Sequence, residues 1–394
     1  MFLRKFGFFL FAGLALLAAC KKENDADPAS TEISPDDCVQ SASANNGAIV
    51  SGRYIISYKS SAISARGVTA QRLNSIGAEL LLKNKIDKGA LKQSFTGEPG
   101  GFIASLSADE AARLRNDDNI AAIEPDRIIS LGTCFTVAEP RLVTWNVERV
   151  GYGDGIGKRA WIIDSGIDFD HPDLTVDKEK SKSFVSGEVS ADDENGHGTH
   201  VAGIIGANNN KIGVLGIASG ATLVSLRVLD KEGNGLLSSI IQALAYINLH
   251  ASAGDVVNMS VGNDEGVSTA LDDQVKITAA KGIYIAIAAG NEKELANKYS
   301  PARTNALNVF TVSAVDSLDK FATFSNYGND VVDYAAPGVR ILSTFKNGQY
   351  AYQSGTSMAA PHVAGLLLLR GNNLTSSGNA KNDPDGTPDL IAHY

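Results

Sequence analysis

Three side chains of complementary chemistry stand in short runs of small residues: Asp164 in Asp164-Ser165-Gly166, His197 in His197-Gly198-Thr199-His200, and Ser357 in Gly355-Thr356-Ser357-Met358-Ala359. A serine hydroxyl is a weak nucleophile at neutral pH. It attacks a carbonyl when a base takes its proton and a third group orients that base. An imidazole titrates near neutrality and suits the base; a carboxylate suits the orienting group. Taken singly, Asp164 reads equally well as a strand-end turn residue, Ser357 as a helix N-cap, and His197 as half of a metal pair with His200. The two histidines lack a His-Glu-x-x-His spacing, and no acidic ligand follows in register. Together, in this order over one domain-sized stretch, the three groups read as nucleophilic hydrolysis.

The surrounding pattern is one that positions such groups. Short apolar, β-branched runs at 160–163, 223–228, 256–259, 283–288 and 309–315 read as strands buried on both faces. Helical stretches are expected near 201–206, 236–249 and 268–281, and another over 358–369. This predicts an α/β domain with a mostly parallel sheet and helices on both faces, whose sites gather at the carboxyl ends of the strands. Asp164 directly follows Trp161-Ile162-Ile163, and Ser357 opens its helix, beside free backbone N–H groups that can bind an oxyanion.

Upstream, the pattern differs. Strand-like segments at 54–58, 101–106 and 120–129 alternate with helical ones at 69–76 and after Ser107-Ala108-Asp109-Glu110, a capping box. That alternation predicts a small α+β domain of ferredoxin-like type over 47–131, followed by a connector at 132–150 and the hydrolytic domain at 151–394. Residues 1–19 carry Arg4 and Lys5 before an apolar run too short to span a bilayer, and read as a cleaved targeting signal. Residues 20–46 are polar and aperiodic, and read as a tether. Over the 394 residues the net charge is -9, which gives no support for nucleic-acid binding. Residues 372–394 are polar and turn-rich, without a closing helix.

The longer blocks Asp164-Ser165-Gly166-Ile167-Asp168, Asn195 to Gly203 and Ser354 to His362 resemble the three signature blocks of the subtilisin-like serine proteases, in family order. The resemblance implies that Asp164, His197 and Ser357 form the catalytic triad. Ala288-Ala289-Gly290-Asn291 resembles the oxyanion-hole segment, which makes Asn291 the side-chain donor. It further implies two edges that bind a peptide substrate as a strand, Gly233-Asn234-Gly235 and Ser260-Val261-Gly262. A small, apolar first subsite is then formed by Val261 with Ala288, Ala289 and Gly290. Asn263 and Leu237 depart from the residues frequent in the family at their positions.

No cofactor is expected for catalysis. Residues 208–214 resemble a family calcium loop, which implies a structural calcium held by Asp173, Asn208, Asn210 and the backbone of Ile212 and Val214. Gly101 to Ala104 through Ile123-Glu124-Pro125-Asp126 resembles the inhibitor-type propeptide of this family, an intramolecular inhibitor removed by the enzyme itself. Leu17-Ala18-Ala19-Cys20 resembles a bacterial lipobox, implying lipidation of Cys20 and a membrane anchor on the cell envelope, with ordinary secretion as the alternative. Cys38 and Cys134 remain; an exported pair is open to a disulfide or to two free thiols. The expected partners are protein or peptide substrates. A catalytically silent binding or inhibitor-like protein on the same fold is the competing reading, and a metal hydrolase using His197 and His200 a third.

Overall fold

The computed structural model describes residues 47–59, 69–97, 100–130, 134–137, 142–262 and 266–394. The signal and tether segments, with Cys20 and Cys38, and Asn263 lie outside the described residues; for 134–137 the backbone alone is described.

The first domain runs β1 (Ile49–Tyr58), α1 (Ala70–Lys83), β2 (Leu91–Phe95), β3 (Gly101–Ser105), α2 (Ala108–Leu114) and β4 (Ile120–Ser130). Its strands pair antiparallel in the order β4-β1-β3-β2, the ferredoxin-like arrangement expected. Ser107 caps α2 through a reciprocal box with Glu110, satisfying two donors that a helix start leaves free. Helix α1 is longer than its sequence pattern indicated. Thr69 caps its start, and Leu73, Leu80 and Leu81 bury one face against Ile56, Tyr58 and Phe102. Pro125 sits within β4 opposite Tyr54.

A connector follows, containing β5 (Cys134–Val137) and α3 (Trp145–Val150), two elements not anticipated. The second domain continues with β6 (Gly153–Asp154), β7 (Arg159–Asp164), β8 (Lys182–Ser183), α4 (His197–Gly206), β9 (Ala218–Ser219), β10 (Thr222–Arg227) and β11 (Asn234–Leu236). Next come α5 (Leu237–His250), β12 (Val256–Met259), α6 (Thr269–Ala280), β13 (Tyr284–Ala288), β14 (Val309–Val315) and β15 (Val332–Pro337). It closes with β16 (Ile341–Phe345), β17 (Gln349–Ser354), α7 (Thr356–Arg370), β18 (Thr375–Asn379) and β19 (Leu390–His393).

The main sheet has the order β18-β19-β15-β14-β13-β12-β7-β10-β8. It is parallel except for β18, which pairs antiparallel with β19. Two apolar cores cover its faces. Helices α5 and α6 pack on one, and α4 and α7 on the other. The C-terminal stretch therefore extends the sheet instead of forming an irregular tail, with Ile391 and Ala392 buried.

Candidate active site

Strand β7 lies between β10 and β12, so its last residue, Asp164, emerges at the carboxyl edge of the sheet centre. Its Oδ1 accepts from the Ser165 N–H at 2.7 Å and lies 2.7 Å from His197 Nδ1. Asp164 and His197 are both buried. His197 begins α4, and the start of that helix is organised by Asp193. Oδ1 of Asp193 accepts from the N–H groups of Asn195 and Gly196 and from the Ser165 hydroxyl; Oδ2 accepts from the Thr199 N–H and hydroxyl. The run of small residues has a steric cause, because a Cβ on Gly198 would lie 2.1 Å from the Gly166 carbonyl oxygen.

Ser357 stands in the first turn of α7, where backbone N–H groups have no intrahelical acceptor. Its hydroxyl donates to the Ser260 carbonyl at 3.3 Å, and the Ser260 hydroxyl donates back to the Ser357 carbonyl at 2.8 Å. His197 Nε2 has no partner. The Ser357 hydroxyl is thus bonded to the Ser260 carbonyl, just past the end of β12, and not to the imidazole. Hydrogen bonds of this type commonly tighten only in the reacting complex.

Asn291 follows β13 on the neighbouring strand end. Its Oδ1 accepts from the Thr356 N–H at 2.9 Å and the Thr356 hydroxyl at 3.0 Å. That fixes the amide so that Nδ2 is the free end, on the loop adjoining Ser357. Gly290 N–H donates to the same Thr356 hydroxyl oxygen.

The first domain is already joined to one expected substrate edge. Strand β4 pairs antiparallel with β11, with Ser130 opposite Asn234, Ile129 opposite Gly235 and Ile128 opposite Leu236. Gly233 forms the turn before that edge through its N–H to the Asp230 carbonyl. Ile129 is fully buried in one cluster with Leu237, Ile240, Val261 and Leu271. Ser260, Val261 and Gly262 carry no named strand; Val261 and Ala289 join the same cluster, whereas Ala288, the last residue of β13, packs against the core on the other face of the sheet. After β4, the chain pairs again as β5 against β17, with Cys134 opposite Ser354, three residues before Ser357.

Two acidic residues of β4 reach the starts of two second-domain helices. Glu124 accepts from the Ser268 hydroxyl at 2.5 Å and the Ala270 N–H at 3.5 Å at the start of α6. Asp126 accepts from the Ser238 N–H at 3.1 Å and hydroxyl at 2.7 Å in the first turn of α5, and pairs with Arg53 at 2.7 Å. Carboxylates are favoured there by the free N–H groups and the helix dipole. Burial pushes the Glu124 carboxyl up to about 7, against the opposing pull of its Ser268 and Ala270 donors. Sequence reasoning quoted the Glu124-Pro125-Asp126 run without seeing this role; the alternation of two acids on one strand face was the available signal.

The remaining candidates are engaged structurally. His200 Nε2 donates to the Ile341 and Ala351 carbonyls at 2.9 and 3.0 Å, and burial pushes its pKa down to about 3. It is a neutral clamp across β16 and β17. Among the described residues no group of three or more His, Cys, Asp or Glu is arranged to hold a metal. Asp173, between β7 and β8, faces the loop after α4: its Oδ2 accepts from the Val214 N–H at 3.0 Å and the Tyr350 hydroxyl at 3.2 Å, while its Oδ1 is buried without a partner. Asn208 Oδ1 takes the Thr175 hydroxyl and Asn210 Oδ1 the Ile212 N–H, one donor each, so each amide oxygen keeps a second acceptor site.

Comparison with known proteins bears on this geometry. Residues 161–378 match the Subtilase family, and residues 53–132 match Peptidase inhibitor I9. The chain is 34% identical to an extracellular serine proteinase of Thermus sp. (strain Rt41A), over 93% of this chain and 90% of that one. It is 34% identical to the subtilisin-like serine protease AsES of Sarocladium strictum, over 87% of this chain and 89% of that one. The crystal structure of a cold adapted subtilisin-like serine proteinase aligns with a TM-score of 0.56 at 34% identity, covering 64% of this chain and 98% of the other.

Proposed function

We propose, from the premise that this chain belongs to the subtilase family of serine proteases and carries an I9 inhibitor domain, that it is an endopeptidase acting through Ser357, His197 and Asp164 and maturing by self-cleavage. The observation that carries this reading is the buried 2.7 Å contact of Asp164 with His197 Nδ1, which leaves Nε2 free. A peptide lies along Asn234–Leu236, the edge that β4 occupies in the intact chain. Ser357 Oγ then bonds to the scissile carbonyl carbon while its proton passes to His197 Nε2. Asp164 accepts the Nδ1–H hydrogen bond and stabilises the imidazolium. The developing oxyanion is met by Asn291 Nδ2 and the Ser357 N–H. Collapse breaks the C–N bond, and the amine leaves with the proton from His197. Water, deprotonated by the same imidazole, then hydrolyses the acyl-enzyme.

Maturation follows from the same arrangement. The chain pairs with β11 up to Ser130 and, from Cys134, with β17, the strand that leads directly into the Ser357 segment. The processed bond is therefore assigned between Ser130 and Cys134. Before release, the first domain inhibits by holding the substrate edge.

Export agrees with the naming of the Thermus relative as extracellular. Among the described residues no helix is long and apolar enough to cross a membrane. Lipidation at Cys20, with anchoring on the cell envelope, is proposed from the sequence alone. A structural calcium is proposed beside Asp173, whose unpartnered buried Oδ1 is the kind of hard oxygen it takes. It would draw on Asp173, Asn208 and Asn210 with the backbone of Ile212 and Val214, and its contribution is to hold the loop after α4.

Mass spectrometry of purified wild type and Ser357→Ala after incubation, with a fluorophosphonate probe, tests the assignment. The expected result is self-cleavage between 130 and 134 and labelling at Ser357, both absent in the variant. A wild type that stays full length on incubation, and stays unlabelled even after an added protease removes the first domain, would leave the silent binding-protein reading in its place.

A further inference from the structure

The loop that carries Asn291 has no regular structure of its own, yet an oxyanion donor acts through fixed placement. What holds the loop is a residue about 35 positions later in the chain. Asn326 is fully buried, in the segment between β14 and β15. Its Oδ1 accepts from the Glu292 N–H at 3.0 Å and the Glu294 N–H at 2.9 Å. Its Nδ2 donates to the Ala289 carbonyl at 3.0 Å and to Glu292 Oε2 at 2.6 Å. A carboxamide offers two donors and two acceptor sites, and all four are spent on residues 289–294. The partners also fix which end is oxygen, since Oδ1 faces two N–H donors and Nδ2 two oxygen acceptors.

The backbone continues the grip. Asn326 N–H donates to the Gly290 carbonyl, Lys293 N–H to the Phe324 carbonyl and Tyr327 N–H to the Glu294 carbonyl. The fit leaves no room for a side chain at 290. Gly290 has φ +105°, and a Cβ there would lie 2.3 Å from Asn326 Nδ2. From the opposite side, the Thr356 hydroxyl takes the Gly290 N–H and donates to Asn291 Oδ1. Asn291 is thus gripped between Thr356, next to Ser357, and Asn326.

We propose that Asn326 is a positioning residue for the oxyanion hole: its four side-chain hydrogen bonds set the 289–294 loop so that Asn291 Nδ2 meets the reacting carbonyl oxygen. This rests on the oxyanion role assigned to Asn291 above. Asn326 itself touches neither substrate nor Ser357, so its loss acts on turnover through Asn291.

The test is a double-mutant cycle on processed enzyme, using a chromogenic tetrapeptide anilide with an apolar residue before the scissile bond. The variants are Asn326→Ala, Asn326→Asp, Asn291→Ala and Asn291→Ala with Asn326→Ala. Asn326→Asp keeps shape and volume while removing both donors, and covers the case in which the alanine variant does not fold. Expected are a fall in kcat of roughly tenfold or more for either Asn326 variant with KM within about twofold, and weaker inhibition by a peptidyl boronic acid in proportion. In the Asn291→Ala background the further loss from Asn326→Ala should shrink to about twofold or less, because the donor it positions is gone. Full additivity of the two losses, or a rise in KM with kcat unchanged, would overturn the positioning role. An undiminished kcat in Asn291→Ala alone would instead overturn the oxyanion assignment on which it rests.

Discussion

Glu124 and Ser268 join the two domains at one point: the carboxylate of the inhibitor-domain strand β4 takes the N-cap hydroxyl of helix α6 at 2.5 Å. The same hydroxyl also accepts the Leu271 N–H, so Glu124 completes a cap that the helix already possesses. Two residues on, Asp126 accepts from the Ser238 N–H and hydroxyl in the first turn of α5, a helix whose own N-cap residue, Leu236, supplies no side-chain bond. The inhibitor domain therefore meets the positive ends of two helices while its strand pairs with β11.

This contact makes retention of the cleaved inhibitor domain pH-dependent. Burial raises Glu124 to about 7 in the joined state, against 4.5 for an unperturbed glutamate. Asp272 on α6 adds to the rise, and is itself beside Arg303. A carboxyl whose pKa is higher in the joined state favours joining fully below about 4.5, and that advantage is lost as pH rises through 7. The inhibition constant of the separated domain should weaken by roughly a hundredfold between pH 4.5 and 8, at about tenfold per unit. Glu124→Gln should flatten that dependence. Inhibition that tightens over the same range would reverse the assignment.

Ile129 should set how firmly the substrate edge is held. It is buried among Leu237, Ile240, Val261 and Leu271, and removing three carbons from such a site costs on the order of 2–5 kcal/mol within a protein core. At an interface that opens to solvent the loss is smaller, on the order of 1–3 kcal/mol, or roughly fivefold to 150-fold in affinity. Ile129→Ala should weaken inhibition by that amount, and substrates with a branched aliphatic residue in the same position should be cleaved faster than those with glycine there. Equal rates for the two substrates would mean that the pocket belongs to the inhibitor domain alone.

Asn291→Ala separates binding from turnover. Loss of one oxyanion donor lowers kcat by about 10²–10³ with little change in KM, a magnitude that comes from a member of this same family. The Thr356 N–H and hydroxyl lose their acceptor in the same variant, so a small fall in thermal midpoint accompanies it. Stopped-flow acylation rates should drop in parallel with kcat.

Much of this arrangement was legible in the sequence because its causes are local. Asp164 ends a strand whose central residues, Ala160 to Ile163, are all apolar, since they are buried between two packed faces. Of the glycines flanking His197, Gly198 answers a close approach to the Gly166 carbonyl and Gly196 one to the Phe345 ring. The capping box at Ser107 is complete within four residues. What escaped depends on distant partners or on mixed patterns. Strand β2 reads Leu91-Lys92-Gln93-Ser94-Phe95, with a polar centre suited to a sheet edge, and carries little periodic signal. Strands β18 and β19 hide in a turn-rich tail because a short edge pair needs few apolar residues. Nothing near Glu124 or Asp126 announces the helix starts more than 100 residues away, and nothing near Asn326 announces the loop it fills.

The loop after α4 offers the last test, a separation of stability from chemistry. Asp173 is buried with one oxygen satisfied by Val214 and Tyr350 and the other unpartnered, an arrangement that costs stability unless something meets that oxygen. A bound calcium raises stability by mass action, by about 2.7 kcal/mol at a hundredfold excess over its dissociation constant. Chelation with EGTA should therefore lower the thermal midpoint of the processed enzyme and speed autolysis at high temperature, while initial kcat at 25 °C stays unchanged, because neither His197 nor Ser357 touches the Asp173 carboxylate. Asp173→Asn replaces the orphaned charge with a neutral amide and should abolish the difference between calcium and EGTA. A midpoint that ignores calcium in the wild type would leave Asp173 as a buried acceptor for Val214 and Tyr350 alone, and prompt loss of kcat on chelation would place a metal in the chemistry itself.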